Sequence, residues 1–84
     1  DDDKLLLYSY RAACFAKENY ANEEAILNYT RVLALLDNEQ GRVQPEWINS
    51  KQDLAEVYIT TGECDKGIAL LNEVLLKKEK KLFN

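Results

Sequence analysis

Histidine is absent from these 84 residues, so the commonest general base and the commonest neutral metal ligand are both missing. The residues that remain for chemistry are two cysteines, Cys14 and Cys64, and a scatter of carboxylates. Glu23 and Glu24, with Glu18 nearby, are the one grouping that could be read as an acid–base pair. They fall where a helix opens, and carboxylates in that position are solvated charges facing the positive end of the helix dipole. Two isolated thiols do not supply the ligand spacing of a zinc site, and the acidic residues do not form a calcium loop. No glycine-rich phosphate cradle is present. The expectation is a non-enzymatic chain with no metal and no cofactor.

Composition narrows the partners. The net charge is −4, which offers no basic stripe for nucleic acid. No apolar run approaches the roughly 20 residues needed to span a bilayer, so no membrane is expected. The chain opens on Asp1-Asp2-Asp3 instead of a basic and then apolar leader. Cys14 falls within a helical pattern and Cys64 in a tight turn, so a disulfide between them is not expected. Unpaired thiols behave as small hydrophobes and fit a reducing, cytoplasmic setting.

The elements that would carry any surface are all helical. Leu5, Leu6, Tyr8, Ala12, Ala13, Phe15 and Ala16 recur with helical spacing, which predicts a first helix over residues 3–19. Asn22 is expected to cap a second helix over 22–37, with Glu23 and Glu24 in its first turn. A loop follows at 38–44. Pro45 suits the first position of a third helix over 45–61, because its missing N–H would be unpaired there. Gly62 stops that helix, and a fourth runs over 65–82. Short connections make each successive pair an antiparallel hairpin. Ala12, Ala13, Ala16, Ala25, Ala55 and Gly67 are expected to let helices approach, with Tyr29, Tyr58 and Leu71 filling the gaps.

The two hairpins are versions of one another. Ala25-Ile26, Tyr29 and Val32-Leu33 recur 42 residues later as Gly67-Ile68, Leu71 and Val74-Leu75. Self-similarity at such a period marks stacked helical repeats, here repeat one at about 3–37 and repeat two at about 45–82 of a single 84-residue unit. Two repeats are fewer than the three or so such a stack generally needs. The apolar start of helix one, Leu5-Leu6-Leu7-Tyr8, is therefore expected to meet either a preceding repeat or a second copy, making Leu5, Leu6 and Tyr8 candidate self-association residues. Leu82 and Phe83 at the other end are candidates for contact with a following repeat. The lysines of 77–81 read as a solvated helix end, favoured by the negative pole of the dipole.

Leu54-Ala55, Tyr58, Gly62, Gly67 and Leu71 resemble the tetratricopeptide repeat. Repeat one follows the pattern with Ala12-Ala13, Ala25 and Tyr29, but has Ala16 where tyrosine is usual and Tyr20 where the turn glycine is usual. Lys51 and Glu79 stand at the family's tryptophan and proline positions, and the period exceeds the family's usual 34. The resemblance implies an all-α fold of two stacked antiparallel hairpins, a segment of an α-solenoid.

It also implies a binding groove along the first helix of each hairpin. The matching positions are Leu7, Tyr10, Cys14 and Lys17 in repeat one and Asn49, Gln52, Glu56 and Ile59 in repeat two. A protein or peptide segment is the implied partner. Tyr10, Cys14 and Glu56 stand where the subgroup that grips chaperone carboxylate tails needs basic and amide groups, so a partner of basic and apolar character fits better. Two alternatives remain open: the peptide-sensing portion of a bacterial regulator, and a self-association scaffold. Trp47 at the start of helix three is expected to pack between the hairpins.

Overall fold

The computed structural model describes residues 2–83, with side chains through residue 79. The lysines at 80 and 81, Leu82 and Phe83 therefore have side chains outside the described set. The elements are α1 (Asp2–Glu18), α2 (Asn22–Leu35), a 3-10 turn at Gly41–Val43, α3 (Pro45–Thr60) and α4 (Cys64–Phe83). There is no strand among the described residues.

The helix ends follow from local chemistry. Asp2 and Asp3 open α1 and Lys17 lies in its last turn, each charge complementing the dipole. At both hairpin turns the helix closes with paired backbone bonds of Schellman type. Glu63 N–H donates to the Tyr58 carbonyl at 2.8 Å and Gly62 N–H to Ile59 at 3.1 Å. Ala21 N–H donates to Ala16 at 2.8 Å and Tyr20 N–H to Lys17 at 3.1 Å. The motif needs a left-handed residue after the cap. Gly62 supplies it with φ +88°, and Tyr20 supplies it with φ +57°. Only the second is sterically costly, by roughly 1–2 kcal/mol for a residue with a Cβ.

Two expectations on local structure change. Ala21, not Asn22, holds the cap position of α2, and no side-chain cap bond is made there. Asn22 is already helical; the Glu23 and Glu24 charges and the hairpin packing start the helix without it. The loop at 38–44 is also ordered by its own bonds. Asn38 Oδ1 accepts from the Gly41 N–H at 2.6 Å, its carbonyl accepts from Arg42 N–H at 3.0 Å, and the segment winds into the 3-10 turn. Gly41 is required there because a Cβ would sit 2.3 Å from the Leu36 carbonyl oxygen.

Packing fixes the directions of the helices. Ala13 and Ala16 near the end of α1 cluster with Ala25 and Tyr29 near the start of α2. Leu6 near the start of α1 packs with Val32 and Leu36 near the end of α2, so the pair is antiparallel. Leu54 and Val57 of α3 complete the first cluster and Trp47 the second, which sets α3 antiparallel to α2. Trp47 is thus buried between the hairpins, as expected. In the second hairpin Ile59 and the Ala55 carbonyl lie over Gly67, and Lys77 lies over the Trp47 ring, so α4 returns along α3. The Cα envelope is 38 × 34 × 16 Å, two helices thick.

Leu71 departs from expectation. Its counterpart Tyr29 is fully buried between α1 and α3, whereas Leu71 is exposed, because among the described residues α4 packs chiefly on α3. Among the described residues, α2 is the second helix packed on both sides.

Candidate binding surface

Tyr10, Cys14 and Lys17 are spaced i, i+4, i+7 on α1, and Asn49, Asp53 and Glu56 have the same spacing on α3. Residues so spaced form one stripe along a helix. The two stripes face each other in parallel at a constant offset. Asn49 Nδ2 lies 3.4 Å from the Tyr10 hydroxyl, with a sequence separation of 39. Lys17 Nζ pairs with Glu56 Oε2 at 2.8 Å and lies 3.9 Å from Asp53 Oδ1, again a separation of 39 for the closer partner. Between these two contacts Tyr29 reaches up from α2. Its hydroxyl donates to Asp53 Oδ2 at 3.0 Å and stands 3.7 Å from the Cys14 sulfur.

The α1–α3 alignment therefore runs at 39 residues while the sequence repeat runs at 42. The difference of three is close to one helical turn, so each hairpin is staggered along its neighbour by about a turn.

Electrostatics follow from this arrangement. Burial first, then the neighbouring Cys14 and Asp53, push the Tyr29 phenol far above its ordinary value, and it acts as a neutral donor. Burial likewise raises Tyr10, partly offset by the Asn49 hydrogen bond. Lys17 is raised mainly by its hydrogen bond to Glu56. One lysine against two carboxylates leaves a single net negative charge at the centre of the surface.

The expected groove residues divide in three. Tyr10, Cys14, Lys17, Asn49 and Glu56 come together, but as partners of one another or of Tyr29. Gln52 is half-buried on the flank of α3. Leu7 instead lines a hollow on the outer side of α1 with Lys4, Tyr8, Arg11 and Phe15. Ile59 is partly exposed at the end of α3, where it covers Gly67. Asp53 was not anticipated. The signal for it is the matched i, i+4, i+7 spacing on both helices, which the repeat pattern alone does not reveal.

Of the candidate self-association residues, Leu5 and Tyr8 are exposed, while Leu6 turns inward against the Val32–Leu36–Trp47 cluster. A substitution at Leu6 consequently tests the core, not a surface. A cleft of about 690 Å³ shares no residue with the α1–α3 stripes. It lies between α2 and α4, floored by Trp47 and Lys51, and its rim carries the Lys51–Glu73 ion pair. Trp47 is flanked there by Lys51 at 4.7 Å and Lys77 at 5.3 Å from the ring centre, so its exposed edge is already covered by two cations.

Cys14 and Cys64 are unpaired, and no cluster of metal-ligating side chains occurs among the described residues. No helix among them is long and apolar enough to cross a membrane. Comparison of the chain with protein-family models, with curated proteins and with solved structures gives no match.

Proposed function

We propose that this chain is a tetratricopeptide-like recognition module of cytoplasmic setting, which binds a protein or peptide segment along α1 and α3 without chemistry. The observation that carries this reading is the pair of facing stripes, Tyr10–Cys14–Lys17 and Asn49–Asp53–Glu56. Cross-helix bonds at Tyr10–Asn49 and Lys17–Glu56 hold two parallel helices at fixed separation. A surface braced in advance loses little conformational freedom when a partner docks, so more of the contact energy appears as affinity.

The chemistry of the strip supports one kind of partner. Asn49 and Gln52 carry amides that can pair with an extended backbone, and Tyr10 gives rigid contact area. The net negative charge left by Lys17, Asp53 and Glu56 favours a segment carrying lysine or arginine. Ile59 at one end offers an apolar contact. The favoured ligand is an extended peptide of mixed basic and apolar residues, and neither nucleic acid nor a lipid surface fits this charge.

The test is selection from a random peptide display library, followed by amide chemical-shift mapping of the chain with the enriched peptide. Shifts concentrated in α1 and α3, weakened by Gln52→Ala with Glu56→Gln, support the reading. Shifts concentrated in α2 and α4, or a binder indifferent to those substitutions, overturn it.

A further inference from the structure

The internal interface between the hairpins shows what the two outer faces of the molecule are shaped to meet. Trp47 (8% exposed), Leu54 (4%) and Val57 (3%) of α3 belong to the clusters shared with α2, and Ser50 (0%), on the same helix face, is buried as well. Moving back by the 42-residue repeat places Leu5, Tyr8, Ala12 and Phe15 at the same positions on α1. These form an i, i+3, i+7, i+10 stripe, which is one helix face. Yet Leu5 is 41% exposed, Tyr8 68% and Phe15 69%. The face that α3 buries against α2 is thus present on α1 in apolar form and is open to solvent among the described residues.

The complementary face is also present. Among the α2 side chains in the two clusters, Tyr29 is buried and Ile26 and Leu33 are partly buried beside it. Their counterparts 42 residues on are Ile68, Leu71 and Leu75 on α4, which are 53%, 40% and 56% exposed. One end of the molecule therefore carries the donor half of the internal interface, and the other end carries the acceptor half. Large apolar residues aligned on an open face mark an interaction surface, whereas scattered ones do not.

We infer that a second copy of this chain covers each face, with α4 of one molecule docking antiparallel on α1 of the next, in the manner of α2 on α3. The same operation that relates the two hairpins relates successive molecules. In that register Leu71 of one copy meets Ala12 and Phe15 of its neighbour, as Tyr29 meets Leu54 and Val57 within the chain. The contact is heterologous: each molecule uses two different faces, so the assembly grows as a series or closes as a ring. The stripe residues Leu5, Tyr8, Ala12 and Phe15 are separate from the Tyr10–Cys14–Lys17 stripe, so stacking leaves the proposed peptide surface open.

Sedimentation velocity over a concentration series, with two double variants, decides the matter. Tyr8→Glu with Phe15→Glu disables the α1 face, and Ile68→Glu with Leu75→Glu disables the α4 face. All four positions are exposed, and circular dichroism checks that both variants keep the helical content of the unmodified chain. Should either lose it, Phe15→Ser and Ile68→Ser replace them. The unmodified chain is expected to pass from monomer to species larger than a dimer as concentration rises. Each variant alone is expected to stay monomeric. An equimolar mixture is expected to form a 1:1 heterodimer, because each variant contributes the face the other lacks. An unmodified chain that is monomeric at high micromolar concentration overturns the inference and assigns the faces to a different occupant. A variant that still dimerises with itself, or a mixture that stays monomeric while the unmodified chain associates, overturns it equally.

Discussion

Tyr29 on α2 donates its hydroxyl hydrogen to Asp53 Oδ2 on α3 at 3.0 Å, from a side chain with no solvent exposure. One residue thereby fills the space between three helices and ties the second hairpin to the first. Tyr29→Phe keeps the ring and removes the donor, leaving a half-buried carboxylate short of a partner. The expected loss is about 1–3 kcal/mol, since the bond is to a charged group. Tyr29→Ala adds a cavity and should cost about 3–5 kcal/mol. Urea denaturation followed by circular dichroism measures both, and a Tyr29→Phe chain as stable as the original would show that the bond contributes nothing.

Alkaline pH probes the buried Tyr29 phenol, one of five tyrosines in the chain. Its folded-state value is raised from 10.0, so the protonated phenol is favoured by folding. A raised group contributes stability that is fully present below the unfolded value and is lost as pH climbs above it. Stability should hold below about pH 10 and fall beyond it. Tyrosinate absorbance is expected to show a last ionisation coincident with loss of the helical signal. That coincident step should vanish in Tyr29→Phe; its persistence would assign the step to another tyrosine.

Tyr20 holds a left-handed conformation that glycine adopts without steric penalty, and its side chain is 80% exposed. Tyr20→Gly relieves the backbone, while glycine's larger unfolded-state entropy offsets part of the gain. A net stabilisation of about 0.5–1 kcal/mol is expected. Tyr20→Ala retains a Cβ and should give none of it. Equal melting temperatures for the glycine and alanine variants would refute the strain assignment.

The glycines at 41 and 67 differ in what a methyl group meets. At Gly41 the nearest atom is the Leu36 carbonyl oxygen at 2.3 Å, and two further Leu36 backbone atoms lie within 2.7 Å. At Gly67 it is the movable Ile59 Cγ1 at 2.7 Å, with the Ala55 carbonyl at 2.9 Å. Alanine in a helix also gains about 1 kcal/mol over glycine, which helps position 67 alone. Gly41→Ala should therefore be the more destabilising, by at least about 2 kcal/mol. Denaturant midpoints in the reverse order would contradict the described loop packing.

Leu5 and Leu6 are neighbours in sequence and opposites in environment. Leu6→Ala should cost about 2–3 kcal/mol because it empties a place beside Val32 and Leu36. Leu5→Ala, at an exposed position of the monomer, should change monomer stability by less than about 0.5 kcal/mol. Chemical denaturation at low protein concentration distinguishes the two, and equal losses would place both side chains in the core.

Much of the framework was legible in the residues. Pro45 set the start of α3, Gly62 with its left-handed φ set its end, and the 3.6-residue recurrence of apolar side chains gave four helices. The burial of Ala13, Ala25, Tyr29 and Trp47 also followed from the pattern. Leu71 shows the limit: its spacing predicts an inward side chain, but burial depends on a neighbouring helix that α4 lacks on that side among the described residues.

By itself, then, the sequence determined the all-helical class, the four segments and the 42-residue kinship between hairpins, because propensity, capping and periodicity are properties of nearby residues. The tertiary structure decided the 39-residue register that sets Tyr10 beside Asn49 and Lys17 beside Glu56. It also decided that Asp53 receives the Tyr29 hydroxyl, and that Tyr20 carries the backbone strain of its turn. Periodicity says which face of a helix is apolar. Which partner that face meets, and how far along it, is set by the joint packing of side chains from several helices, and no single segment encodes it.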